Sequence, residues 1–243
     1  MRLVQKSKIR LDKLLSSLGY CSRKDVLFLL RNGIVKHIQH TPLKPDTKVL
    51  HDEILFDNEP LDSPFGMVIL MHKPIGYICT HDEGEGRLVY ELLPQRWRKR
   101  VPKISTVGRL DKQTSGLLLL TDDGDLLHRL ISPKHKVPKV YEARLDRALE
   151  DDKLGIFALG TLMLKGEKIP CLPAQLSVID DTYMQLTITE GRYHQVRRMF
   201  AALGSHVTAL HRSSFGTLTL EDLQAGEYRV LSHSQIEAAF GAY

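Results

Sequence analysis

From Met67 onward the chain is cut into short apolar runs closed by turn formers, with no regular strand–helix–strand repeat. MVILMHKP (67–74) reads as a strand stopped by proline, STVGRLD (105–111) leads to a second, and GLLLLT (116–121) is a third. KVYEARL (139–145), YMQLTITE (183–190) and HVTALHR (206–212) add further strands. Two helical patterns interrupt them. DDGDLLHRLIS (122–132) carries Leu126, Leu127, Leu130 and Ile131 on one face, behind Asp122 and Asp123 as capping carboxylates. YHQVRRMFAALG (193–204) places Val196, Met199, Phe200 and Leu203 at i, i+3, i+4 and i+7, with Gly204 where a helix ends. This succession predicts an α+β domain over 67–243, a mixed and mainly antiparallel β-sheet with flanking helices.

The residues before it have a different texture. Leu11, Leu14, Leu15 and Leu18 recur at helical spacing before Gly19, and Ser22 stands three residues before Asp25 like a capping box. Val26, Leu29 and Leu30 continue an apolar face to Gly33. Strands are expected around Ile34–Ile38 and Val49–Leu55. Arg10, Lys13, Arg23, Lys24 and Arg31 fall away from the apolar stripe, which makes residues 1–58 a small helical hairpin with a β tail and a basic face. Turn formers crowd DNEPLDSPFG (57–66), so 59–66 reads as a linker.

Charge follows the same division. Residues 1–48 hold eleven Lys or Arg against Asp12, Asp25 and Asp46, a balance of +8 in a chain whose total is +5. A basic end on a near-neutral body points to a polyanion partner for that end. No apolar stretch approaches the roughly 18 residues that span a bilayer, and MRLVQKSKIR lacks the apolar segment of a secretory signal. Cys21, Cys79 and Cys171 are sparse and odd in number, which suits free thiols in a reducing cytoplasm.

Familiar phosphate and metal patterns are missing: there is no GxxxxGK[ST], no GxGxxG, no HExxH and no paired CxxC. RWRKRVPK (96–103) and KHKVPKVY (134–141) set cations beside Trp97 and Tyr141, a composition that suits phosphates and stacked bases. Between them lies Asp111, next to Arg109 and Lys112 and bounded by Gly108 and Gly116. A carboxylate at a strand end serves as a cap, an ion-pair partner or a catalyst. Held ionised by neighbouring positive charge, it is a competent nucleophile.

GRLDKQTSGLLLLTDDG (108–124) resembles the catalytic motif of the pseudouridine synthases, nearest the branch that modifies small-subunit ribosomal RNA. HKPIGYICT, with His72 where Asn is common, KVYEARL and EGRYHQVRRMFAALGSHVTALHR resemble the accompanying motifs in the same order. IRLDKLLSSLGYCSRKDVLFLLRNGIVK resembles the S-four type of RNA-binding module, without the Asn-Gly turn usual after its first strand. The resemblance implies isomerisation of a uridine, flipped from its stack, to pseudouridine in 16S ribosomal RNA. It implies Asp111 as nucleophile, Tyr141 stacked on the uracil, and Arg197 paired with Asp111. Leu210 would lie under the base, and Arg109 would replace the flipped uridine. No cofactor or metal is implied. The expected partner is 16S ribosomal RNA or a small-subunit assembly intermediate, and the expected state is a cytoplasmic monomer. A large-subunit or tRNA target, or a non-catalytic ribosome-assembly factor, are the alternatives.

Overall fold

The structure is a computed structural model and describes residues 7–241. The leucine face read in the amino-terminal stretch is buried. β1 (Ile9–Arg10) runs into α1 (Leu11–Ser17), and a 3-10 turn at Arg23–Asp25 leads into α2 (Val26–Arg31). β2 (Val35–His37), β3 (Lys48–Val49), β4 (Ile54–Phe56) and β5 (Glu59–Pro60) follow. The Ser22 amide donates to the Asp25 carboxylate at 3.2 Å, as the spacing predicts. Val49–Leu55 is not one strand, because His51–Glu53 turns as a 3-10 helix that the Glu53 carboxylate fastens to the Leu50 amide at 2.8 Å. Packing also runs past residue 58: β5 pairs with β4, and Leu61 is buried in the same cluster as Leu11, Val26 and Ile54.

The larger part is built on a nine-stranded sheet. Its strands and helices in chain order are β6 (Val68–Lys73), β7 (Ser105–Thr106), β8 (Thr114–Thr121), α3 (Gly124–Ile131), β9 (Lys139–Leu145), α4 (Asp151–Leu154) and α5 (Ile156–Leu159). After them come β10 (Gln175–Asp180), β11 (Tyr183–Ile188), α6 (Gln195–Ala202), β12 (Val207–Phe215), β13 (Leu218–Thr219), β14 (Tyr228–Leu231) and α7 (His233–Phe240). The spatial order is β10-β11-β9-β12-β8-β6-β14, with β7 and β13 paired beside β8 and β12. Among the described residues every pairing in this sheet is antiparallel except that of β12 with β8. Alternation sorts the side chains by face. Ile69, Met71, Leu118, Leu120, Tyr141 and Leu210 join one core, which α6 closes with Val196, Met199 and Phe200. Val68, Leu70, Leu117 and Leu119 join the other, covered by Leu126 and Leu130 of α3 and Ile236 of α7.

Two readings of charged residues are corrected. Asp123 caps α3, accepting from the Asp125 and Leu126 amides, but Asp122 does not. Asp122 is buried in an ion pair with Arg100 at 2.8 Å, and it also accepts from the Gly66 amide. RWRKRVPK is accordingly no plain RNA-facing run. Arg100 is fully buried and also donates to the Ser63 and Pro64 carbonyls, Trp97 packs against Tyr228, and Arg96 pairs with Asp62. Arg98, Lys99 and Lys103 alone among its cations stay exposed and free of that joint. The amino-terminal unit docks on this segment. The Val101 amide donates to Ser17 O at 2.9 Å, and a Cβ at Gly19 (φ +84°) would lie 2.1 Å from Arg96 O, so only glycine allows the approach.

Candidate active site

Because β8 and β12 run parallel, the loop entering β8 and the helix entering β12 arrive at the same end of the sheet. Leu210 lies opposite Thr114, and Arg212 opposite Gly116. Gly116 (φ +114°) is required there, since a Cβ would stand 2.2 Å from the Arg212 carbonyl oxygen. The loop at 111–114 is then fastened at every carbonyl. Asp111 O accepts from the Thr114 amide at 3.0 Å and from Lys73 Nζ at 3.1 Å. Lys112 O accepts from the Gly76 amide at 2.7 Å, Gln113 O from Arg197 at 2.9 Å, and Thr114 O from Lys73 Nζ at 2.8 Å. A loop with no spare backbone acceptor holds its side chains in fixed directions.

The Asp111 carboxylate is directed into a cleft of about 850 Å³. Tyr141, Leu210 and Arg109 line it too, so four of the five catalytic-domain residues singled out in the sequence meet there. Tyr141 and Leu210 are buried in its wall, whereas Arg109 stands exposed at the rim beside Lys112.

Arg197 does not meet them. It makes no ion pair with Asp111: its Nη1 donates to Val207 O and its Nη2 to Gln113 O, each at 2.9 Å. It faces a second groove, with Glu142, Tyr183 and His211. The cause is the start of α6. His194 caps that helix in a left-handed conformation (φ +49°, ψ +33°), which turns its own ring toward the Asp111 loop and carries Arg197 behind it. His194 Nε2 lies 3.4 Å from Asp111 Oδ1, and the exposed ring of Tyr193 stacks on it at 3.9 Å. Arg197 is thus a brace between the loop and β12.

Two cations of the site, Lys73 and Arg212, escaped the pattern reading, and a third, Lys139, stands in the KHKVPKVY run. Lys73 is completely buried beneath the loop, and burial pushes its ammonium down to about 8. Lys139 lines the cleft, and burial followed by the charge of Arg212 pushes it to about 8 as well. Arg212 lies 2% exposed on the floor, its Nε donating to Leu117 O at 2.7 Å and its Nη1 3.4 Å from the Tyr141 hydroxyl. A signal existed. Lys73 shares parity with the inward Ile69 and Met71, and Arg212 with Leu210, so each is a cation on the buried side of a strand.

Of the amino-terminal candidates, Lys13, Arg23, Lys24 and Arg31 are exposed, while Arg10 is already engaged by Asp12 at 2.9 Å. Of the second basic run, Lys134, His135 and Lys136 are exposed and Lys139 turns inward.

Residues 67–202, which contain the cleft's Asp111 loop, β9 and α6, match the family described as RNA pseudouridylate synthase. The chain belongs to that family. Among RNA pseudouridylate synthases it is 40% identical to "Ribosomal small subunit pseudouridine synthase A" of Pasteurella multocida, over 94% of this chain and 98% of that one. It is 44% identical to the protein of that name from Escherichia coli K12, over 76% of this chain and 79% of the other. A solved structure described as a pseudouridylate synthase superposes with a TM-score of 0.66 at 37% identity, covering 94% of this chain and 98% of that one.

Proposed function

We propose that the protein isomerises a uridine of small-subunit (16S) ribosomal RNA to pseudouridine, with Asp111 as the nucleophile. The observation that carries this is the fully fastened loop, which presents a carboxylate to a cleft walled by Tyr141 and Leu210. A flat base fits between such walls once it has left its stack, a step costing a few kcal/mol. Tyr141 takes one face of the uracil, Leu210 supports it from below, and Arg109 at the rim fills the place it vacated. The two relatives named above, both small-subunit enzymes by name, support the target. Residues 1–58 act as an S-four-type module that anchors the RNA through Lys13, Arg23, Lys24 and Arg31. Binding energy gained there helps offset the cost of unstacking. The enzyme works as a monomer in the cytoplasm.

Pseudouridine mapping across all ribosomal and transfer RNA of cells lacking this protein tests the reading. One 16S position should lose its pseudouridine, regain it with the wild-type gene, and stay unmodified with Asp111→Asn. Loss at a large-subunit or tRNA position would move the target, and no loss anywhere would leave a binding protein.

A further inference from the structure

The floor of the cleft holds two cations, and neither is in ion-pair contact with a carboxylate among the described residues; Glu190, whose charge reaches Lys139, is paired with Arg192. Arg212 spends Nε on Leu117 O and Nη1 on Tyr141, but its Nη2 is buried without a hydrogen-bond partner among the described residues. Lys139 donates once, to Val137 O at 2.9 Å. Both lie against the ring of Phe215, at 5.3 and 5.4 Å from its centroid. β9 places Lys139 and Tyr141 on one face, and Arg212 lies opposite Tyr141 across the strand pair, so the two cations and the phenol form one patch. Neither cation has an ion-pair partner among the described residues. A buried, incompletely satisfied cation is costly, and its neighbour raises that cost. Such a patch is complete only when something electronegative arrives from the cleft.

We propose that Arg212, with Lys139 beside it, is the anion-stabilising floor of the active site, donating its free Nη2–H to a carbonyl oxygen of the target uracil. This rests on the uridine-isomerase reading above. When the Asp111 carboxylate bonds to C1′, the bond from C1′ to N1 breaks, and its electron pair stays with the uracil and spreads over N1, O2 and O4. When C5 of that anion then bonds to C1′, the bond from Asp111 to C1′ breaks and its pair returns to the carboxylate, and the proton left on C5 is exchanged for one on N1. If Asp111 instead adds to C6, the ring pair moves onto O4. Either course puts negative charge on a ring oxygen, where a fixed donor in a water-poor site is most effective. A phosphate suits the floor less well. It belongs to a backbone that must run in and out of the cleft, past the exposed Arg109 and Lys112.

The test uses full-length enzyme and RNA carrying uridine, 2-thiouridine or 4-thiouridine at the target. With uridine, Arg212→Met should lower the single-turnover rate about a hundredfold, the usual cost of one oxyanion donor, while RNA affinity changes little. On the one RNA whose sulfur replaces the accepted oxygen, wild type is already slow and Arg212→Met adds less than about threefold, the non-additive signature of a direct contact. Equal losses on all three RNAs would show a merely structural role and overturn the proposal. So would weakened binding at an unchanged rate, which marks a phosphate site. Should Arg212→Met melt early, Lys139→Met carries the same series, with a smaller loss and the same dependence on sulfur. Wild-type enzyme inactive on the uridine RNA would sink the isomerase reading and this one with it. Active wild type with sulfur-independent losses sinks this one alone.

Discussion

The amino-terminal unit and the cleft both gather cations, and they hold them in opposite ways. Lys13, Arg23, Lys24 and Arg31 stand exposed on a helical hairpin, where water and salt screen them. Lys73 and Arg212 are buried and Lys139 is half-buried, all bonded mostly to main-chain carbonyls; Arg212 and Lys139 face the cleft, while Lys73 holds the loop above it. A solvated cation neutralises any phosphate nearby and carries no information about orientation. A buried one acts on a single group at a fixed place. The first arrangement suits holding an RNA, the second suits acting on one base.

The difference can be broken at three points. The largest of these three effects is expected at Arg197, a cation that serves geometry. Arg197→Met frees Gln113 O and Val207 O, loosens the Asp111 loop, and should lower single-turnover pseudouridine formation about tenfold to a hundredfold. RNA affinity, measured by filter binding, should not follow. A rate within about twofold of wild type would show that the loop needs no such brace.

Lys73 comes next, and its signature is a pH dependence of stability. Its folded value of about 8 lies below the ordinary 10.5, so between those limits the unfolded chain binds the extra proton. Stability from this group therefore rises as pH goes from 8 to 10.5 and is flat below 8. The unfolding free energy of wild type minus that of Lys73→Met should rise across that window, by up to about 3 kcal/mol. Denaturant melts at pH 7.5 and 10 would read it, and parallel curves would mean the ammonium is not buried at a cost.

The smallest effect on chemistry is expected from the exposed set. Changing Arg23, Lys24 and Arg31 together to Gln should weaken RNA binding and reduce the slope of log affinity against log salt by about 2. The single-turnover rate at saturating RNA should stay at the wild-type value. An unchanged salt slope would take the RNA anchor away from this unit. Substitution is a cleaner probe than removing residues 1–58, because Leu61, Ser17 and Gly19 tie that unit to the sheet and its loss would expose Arg96–Val101.

The pattern of the sequence carried far where periodicity was strong. α6, β8, β9 and β12 lie where alternation or helical spacing puts them, and Asp111, Tyr141 and Leu210, which only the family resemblance singles out together, line one cleft. It failed where partner choice depends on backbone direction over a residue or two. The left-handed turn at His194 sends Arg197 to carbonyls instead of to Asp111, and no spacing encodes that turn. Composition failed at RWRKR for another reason. A run of cations reads alike whether it is solvated or folded into a joint, and Arg100 finds Asp122 only because the linker and β8 converge on it.

The contact at Gly116 has a consequence for how this cleft can vary. The strand that follows the Asp111 loop and the strand that carries Arg212 are spaced by two main chains touching, with clearance for less than a methyl group. Lining side chains can therefore drift and alter which RNA is admitted, while the separation of carboxylate from cation passes unchanged from one variant to the next. Recognition is written in replaceable parts, and reaction geometry in the backbone itself.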